Sequence, residues 1–207
     1  MSKSISITPD QLLDAAERVI LERGLEALTL DAVATAAGVS KGGLLHHFPA
    51  KERLIRALVE RIVDGWWSMV RSAIESADPG PGRTIRGLAR CFLSNAQTWE
   101  ESCRRTSLVL VAAMISNPNL VQPMRDRAAE LDRMIAADGL PEGVGETVSA
   151  ALDGVWFAWM FGFRRVDERF IHGLKRCVES LVGQSIDSGR VLELGSEATG
   201  ERIGSRE

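Results

Sequence analysis

Apolar residues recur at three- and four-residue spacing through nearly the whole chain, and no run of alternating β-branched residues competes with them. The pattern predicts an all-α protein. Thr8-Pro9-Asp10-Gln11 reads as a helix start, with Thr8 as N-cap, Pro9 where a missing N–H costs nothing, and Gln11 reaching back as in a capping box. Leu12, Ala16, Val19 and Ile20 form the inner face of this first helix, and Gly24 is expected to end it in the left-handed conformation. Thr29 caps a short second helix through Ala36, Ala37-Gly38-Val39 turns the chain, and Ser40 caps a third short helix over 41–47. Phe48-Pro49-Ala50 breaks that helix, and a long one follows from Lys51 to about Ser76. Asp78-Pro79-Gly80-Pro81-Gly82 reads as the clearest linker. Beyond it the spacing predicts helices near 83–99, 101–116, 118–137, 143–165 and 167–184, about nine in all. The tail from Asp187 is rich in Gly, Ser and Glu and is expected to be mobile.

Composition sharpens the picture by exclusion. A chain of 207 residues, 45% apolar and 26% charged, can bury a sizeable core. The longest mixed apolar stretch, Val148 to Phe163, is interrupted by Asp153 and Gly154, too short and too polar to span a bilayer, so no membrane partner is expected. Met1-Ser2-Lys3-Ser4 lacks an apolar leader core, and Cys91, Cys103 and Cys177 form no closed disulfide framework, which makes the cytoplasm the expected location. The net charge of −3 argues against a protein that coats nucleic acid by charge alone. The charge is segregated, however. Residues 1–37 carry three cations against six acids, whereas residues 38–61 carry Lys41, Lys51, Arg53, Arg56 and Arg61 against only Glu52 and Glu60, beside His46 and His47.

Two short helices joined by a Gly-containing turn, with a capped helix before and a basic helix after, match a helix-turn-helix, whose second helix enters the DNA major groove. Ser40 sets a hydroxyl at a helix N-terminus, where the dipole favours a phosphate. Gly42 and Gly43 leave the first turn of that helix nearly bare, at about 1 kcal/mol per Gly in helix propensity. Such a sacrifice suits a helix whose backbone something must approach closely, and His46, His47 and Lys51 place donors at its far end.

The run Gly24-Leu25, Leu28-Thr29-Leu30, Val33-Ala34 and then Ala37-Gly38-Val39-Ser40-Lys41-Gly42-Gly43-Leu44-Leu45-His46-His47-Phe48-Pro49-Ala50-Lys51-Glu52-Arg53-Leu54 resembles the N-terminal DNA-binding domain of the TetR/AcrR family of bacterial transcriptional regulators. The match runs without a gap over about residues 8 to 55. Asp153-Gly154-Val155-Trp156 resembles a sequence frequent in the penultimate helices of that family. The resemblance implies a two-fold homodimer on double-stranded operator DNA, most often a repressor, with a helix-turn-helix domain at 1–50. A helical effector-binding and dimerisation domain at 51–186 would follow, and the mobile tail at 187–207.

Carried over by position, Thr29 and Lys51 would hold phosphates, Ser40, Lys41, Gly42 and Gly43 would face base edges, Leu45 would touch a thymine methyl or pack inward, and His46 would replace an aromatic backbone contact. The family often has Thr at Gly43 and Tyr at Leu45 and His46, so base readout by side chains is expected to fall on Lys41, with backbone contacts and DNA shape supplying the rest.

In the long helix, Leu54, Ile55, Leu58, Val59, Ile62, Val63, Trp66, Trp67, Met69 and Val70 make an apolar surface wider than one core needs, and Trp66 and Trp67 lie about 100° apart. The helix near 143–165 is apolar on nearly all sides and is expected to be buried on all of them. The next shows one stripe. As the resemblance implies, Val155, Phe163, Phe170, Leu174, Cys177, Val178 and Leu181 would form a dimer bundle. Trp66, Trp67, Met69, Phe92, Trp99, Met114, Trp156 and Trp159 would line a cavity for a small, largely hydrophobic effector, with core or dimer-interface roles the stronger reading for Trp99, Trp156 and Trp159. No cofactor is called for. Adjacent His46 and His47 diverge on a helix and have no third ligand at metal spacing. Cys103, beside Arg104 and Arg105 that would favour its thiolate, is a minor redox candidate. Asp153, Arg164 and His172 offer no nucleophile with a base at defined spacing, so catalysis is not expected. A protein-docking role for the N-terminal domain is the remaining alternative, and the basic segment at 38–61 favours DNA over it.

Overall fold

The computed structural model describes residues 7–95 and 101–183, and within them the chain is helical. Nine α-helices are described: α1 (Pro9–Arg23), α2 (Leu30–Ala37), α3 (Lys41–His47), α4 (Lys51–Ser76), α5 (Arg83–Asn95), α6 (Glu101–Ser116), α7 (Gln122–Ala136), α8 (Val144–Met160) and α9 (Glu168–Val182). Short 3₁₀ turns occupy Leu25–Ala27 and Pro118–Val121. The tail from Asp187 lies outside the described residues, as do 96–99 of the helix expected at 83–99.

The first helices begin at neighbouring side chains. The Gln11 N–H donates to Thr8 Oγ1 at 3.3 Å while the Thr8 N–H donates to Gln11 Oε1 at 3.0 Å, the reciprocal pair of a capping box. Ala32 N–H donates to Thr29 Oγ1 at 3.0 Å and Gly43 N–H to Ser40 Oγ at 3.1 Å. Gly24 ends α1 at φ 85°, ψ 164°, an extended glycine-only conformation and not the left-handed helical one, because the chain leads straight into the 3₁₀ turn. The left-handed cap belongs to Gly38 (φ 69°, ψ 30°), which turns the chain between α2 and α3.

Two predicted helices differ in extent. The stretch 118–137 is a 3₁₀ turn followed by α7, since Pro123 has no N–H to continue an α-helical ladder across the junction. The helix expected to reach 165 ends at Met160, where Phe161 and then Gly162 at φ 71° turn the chain away.

Apolar packing forms two cores. The first joins α1, α2, α3 and the N-terminal half of α4 (Leu54, Ile55, Leu58, Val59, Val63), and it also takes in Val109 and Ala113 of α6 with Leu120 and Val121. The second joins Trp67, Val70 and Ile74 of α4 with α5, α7, α8 and α9. A helix of 26 residues spans about 39 Å, so α4 runs from one core into the other.

The segment 78–82, read as a linker, is clasped. Arg83 Nε donates to the Ile74 and Ala77 carbonyls at 3.1 Å each, and Arg90 reaches Ala73 O and Ser76 Oγ at 2.7 Å each, so cations meet the C-terminal carbonyls of α4. The fully buried Arg86 donates to Pro81 O and Asp78 O. Asp138 accepts from the Thr84 and Ile85 N–H groups at 2.8 and 3.0 Å, capping α5 from the end of α7. Gly87 brings α5 against the backbone of Ile74, a contact that any Cβ would obstruct.

Candidate nucleic-acid interface

Leu44 and Phe48, both buried, seat α3 in the first core and turn its other side outward. That outer side carries Ser40, Lys41, Gly42, Leu45 and His46, all exposed, with Gly43 half-buried behind them. Leu45 therefore points outward and does not pack into the core. Thr29 is exposed at the start of α2, and Lys51 is half-buried as the first residue of α4.

The glycines are informative because nothing inside the protein requires them. Both have ordinary negative φ, and a Cβ would meet only Ser40 Oγ, at 3.9 Å from Gly42 and 3.5 Å from Gly43, which is normal contact distance. The cost in helix propensity is thus not repaid by packing or backbone geometry within the chain. At the same turn, Ser40 Oγ spends a lone pair on the Gly43 N–H and keeps its O–H to donate outward.

Lys41 Nζ lies 2.9 Å from Asp31 Oδ2, an ion pair between α3 and α2 that charge counting along the sequence did not reveal. A second polar node was also missed. Arg61 of α4 donates to Asp14 at 2.6 Å and to Glu17 at 2.8 Å, and Glu17 also accepts from Thr106 Oγ1 of α6 at 3.2 Å, which ties α1, α4 and α6 together beside the first core. His46 and His47 rings meet edge to face with centroids 5.2 Å apart, and among the described residues no group of three potential ligands could hold a metal.

The residues proposed for an effector fall in three places. Trp67 is buried in the second core under the Arg127 guanidinium, 5.6 Å from its ring centroid, with Trp66 half-buried beside it. Phe92, Trp156 and Trp159 form one aromatic cluster between α5 and α8, with centroid separations of 6.1 Å and 5.1 Å along the chain of contacts. Met69 and Met114 face solvent, each nearly half exposed. Trp99 lies outside the described residues, and so does the Cys103 side chain. Burial pushes the Cys91 thiol up to about 11, so it is an unreactive thiol at neutral pH. An open cleft of about 700 Å³ between the end of α5 and the start of α9 is lined by Leu93, Ser94, Glu168, Arg169, Ile171, His172 and Lys175, with none of the proposed effector residues that are described among its walls.

The residues proposed for dimerisation also divide. Val155 and Val178 are buried within the chain, and Phe170 and Leu174 pack against its second core. Cys177 is exposed, Leu181 is 47% exposed, and Phe163 is 82% exposed beyond the end of α8. Helix α8 is not enclosed on all sides. Phe157 and Phe161 stack with centroids 6.4 Å apart on its open face, and Gly154 and Gly173 have open space before their Cα atoms. No helix among the described residues is long and apolar enough to cross a membrane.

Residues 12–58 match the family model for bacterial regulatory proteins of the tetR family, and residues 82–182 match the model for the tetracyclin repressor-like C-terminal domain. Among curated relatives, the HTH-type transcriptional repressor KstR2 of Mycobacterium tuberculosis is 33% identical over 78 residues, 38% of each chain. The HTH-type transcriptional activator FasR of Mycolicibacterium smegmatis is 44% identical over 82 residues, 40% of this chain and 37% of that one. The matched segment thus spans less than half of either relative. Similar solved structures include the multidrug binding protein EbrR complexed with malachite green, at TM-score 0.66 and 19% identity over 84% of this chain and 97% of that one. A TetR-family member from Streptomyces coelicolor superposes with TM-score 0.59 and 22% identity, covering 81% and 95%. With its all-α architecture, its exposed α3 and two family models that together take in well over half of its length, the chain belongs to the TetR family of bacterial regulatory proteins.

Proposed function

We propose that the protein is a homodimeric, sequence-specific DNA-binding transcriptional repressor, released from its operator by a small, largely hydrophobic effector. The family is one of regulators, not enzymes. The observation that carries the reading is the bare, outward first turn of α3, where two glycines unneeded by the fold leave room for a close partner beside Ser40 and Lys41. Residues 1–50 would form the reading head, with Thr29 and Lys51 on phosphates and Ser40, Lys41, Gly42, Gly43, Leu45 and His46 toward the groove. Gel-shift titration with DNA from upstream of its own gene tests this directly. Specific retention is expected, and retention equal to that on unrelated DNA would contradict it. Lys51→Ala should weaken binding to every sequence and lower the salt slope by about one, since one phosphate contact releases about one counterion.

The homodimer is supported by the open face of α8 and α9, where Phe157, Phe161 and Leu181 expose apolar surface and Gly154 and Gly173 would permit close helix approach. Leu181→Glu with Phe157→Glu should give monomer in analytical sedimentation without loss of helical signal. A wild type that sediments as a compact monomer at micromolar concentration would contradict the dimer. An effector would act by parting Phe92, Trp156 and Trp159, or by wedging beside Trp66, and so shifting α4, which runs through both cores. Coupling of about 1–3 kcal/mol would change DNA affinity roughly 5- to 150-fold, and operator DNA must weaken effector binding by the same factor.

A further inference from the structure

Lys41 is the first residue of α3, and its ammonium lies 2.9 Å from Asp31 Oδ2 in the first turn of α2. The two side chains are 56% and 68% exposed, so the pair adds little to stability. Its position is the informative part. On the outer side of α3, Gly42 and Gly43 have no side chain, Leu45 has no donor, His46 stands in the last turn and Ser40 is a short N-cap held to the Gly43 N–H, which leaves Lys41 as the long side chain of the first turn placed to read a base. A lysine is a compact cation on a flexible four-carbon stem, without the fixed fork that directs an arginine, and an untethered one facing DNA is free to settle on a phosphate. An acid on a surface that meets phosphates also opposes binding, so affinity alone would disfavour Asp31.

We infer that Asp31 is a specificity-determining residue, which holds the Lys41 ammonium over the recognition surface so that it reads a base edge, such as guanine O6 and N7, in place of a phosphate. Base preference at that position is then a property of the pair. The inference rests on α3 being the reading head, and the test separates the two. Wild type, Asp31→Asn, Asp31→Glu and the control Glu22→Gln, which removes an exposed acid on α1, are each used to select from a randomised DNA pool. Binding to the selected site and to a scrambled duplex is then titrated over roughly 50 to 200 mM salt.

Asp31→Asn is expected to take the preference at one base pair from roughly 10-fold toward parity. It should also tighten binding to the scrambled duplex and steepen its salt slope by about one, as the freed lysine gains a phosphate. Asp31→Glu should keep the preference, and Glu22→Gln should leave it unchanged. In a Lys41→Ala background, Asp31→Asn should no longer alter the selected sequence. An Asp31→Asn protein with the wild-type preference at every base pair and only a uniform gain in affinity overturns this inference alone. A wild type that selects no sequence overturns the reading of α3, and this inference with it.

Discussion

Helix α3 is capped by Ser40, three residues before the Gly43 N–H from which its hydroxyl accepts, whereas α5 is capped by Asp138, whose carboxylate arrives from the far end of α7. In the first core α1, α2 and α3 each bring their own capping side chain, whereas in the second α5 takes its cap from the end of α7 and α9 alone keeps its own, Asp167. The arginines of α5 repeat the pattern, since Arg83 and Arg90 satisfy the last carbonyls of α4. Such an arrangement should make the second core lose stability as a unit, while a lost cap in the reading head has a local effect.

The largest effect is expected at Asp138. Asp138→Ala leaves the buried Thr84 and Ile85 amides without a partner and should cost about 2–4 kcal/mol, read as a fall in the denaturation midpoint. Ser40→Ala should cost only about 1 kcal/mol, with faster hydrogen exchange confined to the start of α3. Equal costs, or exchange spreading beyond α3 in the Ser40 variant, would contradict the contrast.

A smaller effect is expected at Asp153 of α8. The residue is exposed as a whole, yet its carboxyl is crowded by the surrounding protein and by Asp132, and both raise its pKa, the crowding more. An acid whose pKa rises on folding holds its proton more tightly in the native state. Its contribution to stability is full below the ordinary value of 3.8 and is lost as the pH rises through the raised one. Asp153→Asn should therefore raise the melting temperature slightly at neutral pH and converge with the wild type below the ordinary aspartate range. A lower melting temperature at neutral pH would show that the carboxylate has a favourable partner instead.

The same contrast explains what could be read from the sequence. Thr8 with Gln11, Thr29 and Ser40 lie within three residues of the amides they serve, so a linear reading finds them. Asp138 and Thr84 are 54 residues apart, and the stretch between Ala77 and Arg83 looked like a linker because its Pro and Gly residues signal turns while its clasp comes from elsewhere. Helical periodicity puts Trp66 and Trp67 about 100° apart but cannot show that Trp67 is the one buried in the core, nor that Met69, two residues on, faces solvent. Past Met160 the apolar run continues into Phe161 and Phe163, and hydrophobicity alone cannot separate a buried helix from exposed aromatics beyond its cap. At the reading head the residue types and their order were legible. The Asp31–Lys41 pair was not, since it depends on how the turn at Gly38 sets α2 against α3.

The reading of α3 is tested most directly by measuring Gly42→Leu twice, once for stability and once for DNA affinity. Leucine is the better helix former by up to about 1 kcal/mol, and the fold has space for its Cβ, so the melting temperature should hold or rise. The same side chain would stand where DNA must approach the backbone, and affinity for the selected site should fall at least about 10-fold. A variant that melts no lower than the wild type and binds DNA as tightly would contradict the claim that the bare turn of α3 is the surface that meets DNA.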